Sequence, residues 1–141
     1  MLAAVPPPLP LYACALLQDA AGWWVLQLRP PGARHAPGQL TCFGGRREDG
    51  EDAASCLRRE LTEELGWVPD ALGETLELWQ RETYLACFWR CRLTVAWSSL
   101  RTEPGHVALR VPARALPGLP VSPWHGAVLQ AAAAGVRRVT L

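Results

Sequence analysis

The chain predicts an α/β fold in a single domain, and three observations predict it. Short runs with β-type patterning alternate with two helix-type runs. Half of the 141 residues are apolar, enough for one core and too few residues for a second catalytic domain. One helical stretch, residues 53 to 65, has both a start and a stop signal. No internal repeat is visible.

Residues 1–10 read as a Pro-rich N-terminal lead-in of polyproline character, with a docking role as the less favoured alternative. They lack a basic n-region, and prolines interrupt any apolar core, so they make a poor signal peptide. The domain proper spans residues 11–141. Leu11–Leu17 and Trp23–Arg29 are predicted strands joined by a hairpin connection, and Pro30, Pro31 and Gly32 end the second. Residues 30–39 form a Pro- and Gly-rich loop, and Leu40–Phe43 is a short strand leading into Gly44-Gly45. Asp52 is the expected N-cap of a helix over Ala53–Leu65, whose stripe of Ala54, Leu57, Leu61 and Leu65 faces a sheet; Gly66 ends it.

Residues 75–80 and 83–97 are the next strands, with a break near Gln80-Arg81. Alternation puts Leu85, Cys87, Trp89, Cys91, Leu93, Val95 and Trp97 on a core face. Tyr84, Phe88, Arg90, Arg92 and Thr94 fall on the other, where aromatic rings and guanidinium groups suit a base or a phosphate. An exposed amphipathic face is the equal alternative. Val107–Val111 is a short strand within a loop-rich region, and Ser122 caps a last helix, Pro123–Ala134.

Net charge is +1, so no global field favours a nucleic acid polymer or an anionic membrane. All 14 Lys+Arg residues are arginine, a side chain whose planar fork suits phosphate. Five cysteines, an odd count with no Cys-x-x-Cys pair, argue against a disulfide framework and for a reducing cytoplasm. No apolar stretch reaches the ~18 residues of a membrane helix.

The chemistry concentrates in residues 45–67. Glu60, Glu63 and Glu64 stand at i, i+3 and i+4, so a helix stacks them on one face, where like charges repel. A hard divalent cation with oxygen ligands, Mg²⁺ or alternatively Mn²⁺, would neutralise them; a solvated acidic face is the bland alternative. The segment resembles the Nudix box of the Nudix hydrolases, including MutT-like members, G-x5-E-x7-R-E-U-x-E-E-x-G-U with U a bulky apolar residue. Gly45, Glu51, Arg59, Glu60, Leu61, Glu63, Glu64 and Gly66 match, while Trp67 is aromatic where an aliphatic residue is usual.

The resemblance implies a Nudix-type α/β/α sandwich around a mixed β-sheet. It also implies metal-dependent hydrolysis, by water, of a diphosphate linkage in a nucleoside diphosphate linked to X. Glu60 and Glu64 are the main implied metal ligands, with Glu63 as a further ligand or general base. Glu51 and Arg59 match positions that pair with each other, and Gly44 and Gly45 allow a tight backbone turn, although Phe43 replaces the proline common there. Glu103 is a candidate for a distal catalytic glutamate. Arg29 and Arg34 are candidate diphosphate contacts, with exposed structural arginines as the alternative, whereas Arg46 and Arg47 lie next to the site in sequence with simple solvation as the alternative. Tyr84, Phe88 and Arg90 are candidate substrate contacts. His35, His106 and His125 read as bystanders.

The expected partner is a small nucleotide or nucleotide conjugate, with no membrane and no nucleic acid polymer; a homodimer is compatible. A rival reading is a non-catalytic Nudix domain that senses a nucleotide or binds a protein. A lesser one follows from Arg29-x4-Arg34-x3-Gly38, which is similar in spacing to the region before the box in coenzyme A diphosphatases. Cys42-Phe43 departs from their Phe-Pro pair.

Overall fold

The computed structural model describes residues 5–141; residues 1–4 of the proline-rich lead-in lie outside them. Eight strands form one mixed sheet with a helix on each face. In chain order they are β1 (Tyr12–Gln18), β2 (Trp24–Leu28), β3 (Leu40–Thr41), β4 (Phe43–Arg46), α1 (Ala53–Leu65), β5 (Thr75–Gln80), β6 (Thr83–Arg92), β7 (Val107–Val111), α2 (Pro123–Ala133) and β8 (Arg138–Thr140). The sheet order is β3-β2-β1-β6-β5-β8, with β4 paired to β1 and β7 to β2. Among the described residues, no helix is long and apolar enough to cross a membrane.

The sheet forks. β1 meets β2 at Gln18 and Trp24, but its Tyr12–Ala15 half pairs with β4 instead. One branch therefore carries β1 and β4, the other β2, β3 and β7. Two apolar layers hold the sandwich: Leu16, Leu26, Leu78 and Phe88 pack with Val128 and Leu129 of α2. Ala13, Ala15, Leu17, Val25 and Phe43 pack with Leu57, Leu61 and Leu65 of α1.

Helix α1 begins where the Asp52 carboxylate accepts from the Ser55 amide at 2.8 Å and ends where Gly66 enters the left-handed region. Burying its leucines contributes ~1.5–3 kcal/mol each. A like-charge pair one turn apart costs only ~0.2–0.5 kcal/mol. The apolar anchor wins, so the helix tolerates its acidic face.

Four expectations change. Leu40–Phe43 is not one strand: Thr41 pairs with Gln27 and Phe43 with Ala15, so the chain crosses the fork at Cys42. Gly44 and Gly45 lie within β4 rather than after it. The run over 83–97 ends at Arg92, because Leu93 reaches the last residue of β1 and no partner strand continues. Val95 and Trp97 are then 41% and 40% exposed and leave the core.

The alternation in β6 also breaks. Leu78 pairs with Ala86 but Trp79 with Tyr84, so Leu85 is an extra, bulged residue. Tyr84 is thereby turned to the face opposite Phe88, and Phe88 is buried in the α2-side core. The three-residue β8 was not anticipated.

Candidate active site

A cleft of about 800 Å³ opens where the sheet forks, lined by residues of both branches and both helices. Glu60 and Glu64 enter it from α1, and Glu103 and His106 from the loop after Leu100. Arg29, Arg34 and Arg46 line it as well, together with Tyr12, Phe88, Trp124 and His125. The carboxylate-bearing and arginine residues thus line one open space.

Arg59 organises the loop before α1. Its Nε and Nη2 donate to the two Glu51 carboxylate oxygens at 2.8 and 3.0 Å, a bidentate pair. Nη2 also donates to the Arg46 carbonyl at 3.2 Å, and Nη1 to Glu60 Oε1 at 3.0 Å. The hydrogen bonds from Arg59 hold the Glu51 carboxyl down at about 2. One guanidinium therefore ties together β4, the loop and the α1 carboxylate that faces the cleft.

The backbone permits this closeness only with glycine. A Cβ on Gly45 would collide with the Glu60 carboxylate. Gly44 has φ 146°, and a Cβ there would strike the Ala13 carbonyl.

Glu64 is only 6% exposed. Its Oε1 accepts from the Gly44 amide at 3.0 Å and its Oε2 from Gln27 Nε2 at 3.1 Å. Burial, and then the charge of Glu60, push its carboxyl up to about 8. Burial likewise raises Glu60, partly offset by Arg59. Two neighbouring carboxylates held in a low-dielectric corner are short of positive charge, which is the demand a divalent cation meets.

Among the described residues, no three His, Cys, Asp or Glu side chains form a ready-made cage. A Glu60–Glu64 pair still fits Mg²⁺, which is commonly held by one or two carboxylates with waters and substrate phosphates completing the shell. Glu63 does not line the cleft beside them: its side chain is 55% exposed and lies 3.5 Å from Arg59.

The other expected residues divide. Arg29 and Arg34 line the cleft, and Arg29 Nε is fixed by the His35 carbonyl at 2.6 Å. Phe88 forms part of the floor, by way of the core rather than an exposed face. Tyr84 lies outside the cleft, stacked on Trp79 with ring centroids 4.8 Å apart. Arg90 also lies outside it, donating to the Ala132 carbonyl and lining a separate cavity with Arg92 and Gly73.

Several lining residues escaped the sequence reading. Tyr12 and Trp124 meet edge to face at 6.4 Å, and the Arg46 guanidinium lies 5.8 Å from the Tyr12 ring. His125 accepts the Cys42 amide on Nδ1 at 3.0 Å, so its proton sits on Nε2. Burial and then the charge of Arg29 lower it to about 4. Only Gln27 carried a signal, as the one polar residue in the strand Trp24-Val-Leu-Gln-Leu28.

The NUDIX domain family profile matches residues 8–130. Among solved structures, the chain resembles the crystal structure of MutT protein from Methanosarcina mazei Go1, with TM-score 0.71 and 17% identity over 94% of this chain and 98% of that one. It also resembles the solution structure of the E. coli ORF135 protein, with TM-score 0.65 and 21% identity over 87% of each chain. The DR0079 crystal structure from Deinococcus radiodurans gives TM-score 0.66 and 19% identity over 92% of this chain and 88% of that one. No curated protein matches.

Proposed function

Because the chain belongs to the Nudix hydrolase family, we propose that it is a divalent-metal-dependent hydrolase of the diphosphate bridge in a nucleoside diphosphate linked to a further group. The observation that carries this reading is a single cleft shared by Glu60 and Glu64 with Arg29, Arg34 and Arg46. Carboxylates hold a hard cation, guanidinium forks grip phosphate oxygens, and the half-buried ring of Tyr12 and the exposed ring of Trp124 offer flat surfaces to a base.

When bound, a divalent cation, Mg²⁺ or Mn²⁺, supplies an acidified water and offsets phosphoryl charge. Glu60 and Glu64 would hold it, and Arg59 keeps Glu60 in place while bracing the loop through Glu51. We assign the base to Glu103, which lines the cleft and whose side chain has no hydrogen bond among the described residues. Glu63 then braces Arg59 from outside. The water oxygen bonds to one phosphorus, its proton passes to the carboxylate, the bridging P–O bond breaks, and two phosphorylated products leave.

The test is product mass after incubation with Mg²⁺ and a panel of nucleoside triphosphates, dinucleoside polyphosphates, nucleotide sugars and coenzyme A. Cleavage at a diphosphate, abolished by EDTA and restored by Mg²⁺, is the expected result. No turnover across the panel, with tight binding of one nucleotide, would instead make the domain a sensor.

A further inference from the structure

We propose that Gln27 is a positioning residue that holds the Glu64 carboxylate in its metal-binding orientation; this rests on the reading of the site as a metal-dependent hydrolase. Gln27 is 3% exposed and sits on β2, the branch of the fork opposite β4. Its Nε2 donates to Glu64 Oε2 at 3.1 Å and to the Cys42 carbonyl at 3.4 Å. The second bond settles the amide orientation, since a flipped amide would set its oxygen against that carbonyl. The Gly44 amide takes the other Glu64 oxygen at 3.0 Å.

One donor from each branch of the sheet thus occupies each oxygen of the carboxylate, and the remaining lone pairs are left for a cation. Thr41 stands opposite Gln27 in the β2–β3 ladder, yet its buried hydroxyl has no partner among the described residues. Among the described residues, the Gln27 amide nitrogen donates to no group besides Glu64 and the Cys42 carbonyl. A buried polar side chain whose donors go to a metal-site carboxylate and the backbone beneath it acts through that carboxylate, not on substrate.

Two variants test this. Gln27→Leu keeps the volume and removes both donors; Gln27→Asn withdraws the amide by one methylene. Mn²⁺ binding to the substrate-free protein, read by electron paramagnetic resonance of the free ion, should weaken roughly 10–100-fold in Q27L. kcat should fall by a similar factor, while KM for the nucleotide stays within about twofold. A folded Q27L protein with Mn²⁺ affinity and kcat both within about twofold of the parent overturns the proposal. If Q27L fails to fold in EDTA, Q27N is judged by the same criteria. A parent protein that binds Mn²⁺ but cleaves nothing removes the hydrolase reading and leaves Mn²⁺ affinity to decide on Gln27. A parent that binds no Mn²⁺ overturns both.

Discussion

The α1 wall of the cleft and the surfaces around it are held by different means. On α1, Glu60 and Glu64 ride a capped helix anchored by Leu57, Leu61 and Leu65, and Arg59 locks that helix to its loop. Elsewhere, Arg34, Glu103 and Trp124 come from a Pro- and Gly-rich loop, a second loop and the first turn of α2. Of these three, none has a side-chain hydrogen bond among the described residues, and Trp124 is 37% exposed. A rigid wall suits groups that must sit within a fraction of an ångström of a reacting centre; loosely held side chains suit selection among bulky groups. The contrast assigns cation binding to the α1 side and nucleotide affinity to Arg34 and Trp124, while Glu103 brings the proposed base from a loop.

The largest expected effect tests the rigid side. Glu64→Gln should reduce turnover at least ~100-fold with the far-UV circular dichroism unchanged, because it removes charge where a cation must bind. Turnover near that of the parent would break the division outright. Arg59→Ala should lower kcat roughly 10–100-fold and also lower the melting temperature, since it unties Glu51 from the helix and frees Glu60. A fall in rate without a thermal shift would mean that Arg59 contributes no bracing.

The adaptable side is probed by Trp124→Ala. KM for the nucleotide should rise roughly tenfold, as for the loss of one stacked base, while kcat changes little. If kcat falls as it does in Glu64→Gln, the two sides are not separable. The smallest effect is a pH dependence. The hydrogen bonds from Arg59 hold Glu51 at about 2 in the fold, against 4.5 ordinarily. The folded state therefore binds fewer protons in this window, and the stability from this pair is complete above pH 4.5 and lost as pH falls towards 2. Urea midpoints measured across that range should slope more steeply in the parent than in Arg59→Ala, and equal slopes would remove the pair as the source.

Legibility in the sequence followed the range of the interactions. The limits of α1, from Asp52 to Gly66, were readable because caps and apolar stripes act within a turn or two. Leu40–Phe43 was misread because its division depends on two different partner strands, β1 and β2. Tyr84 and Phe88 looked like neighbours on one face, and a bulge at Leu85 separates them. Trp124 and His125 gave no local sign of a binding surface, since only packing of α2 against β6 brings them to the cleft.

By itself the sequence determined the family, the acidic helix and the pairing of Arg59 with Glu51, because those groups lie within the 22 residues from Gly45 to Gly66 and a single helix with its leading loop sets their spacing. Tertiary structure decided which carboxylates turn inward. Glu63 and Glu64 are adjacent, yet about 100° of helical rotation sends one to solvent and the other beneath the sheet fork. There Gly44 and Gln27, 17 residues apart in the chain, each take one of its oxygens.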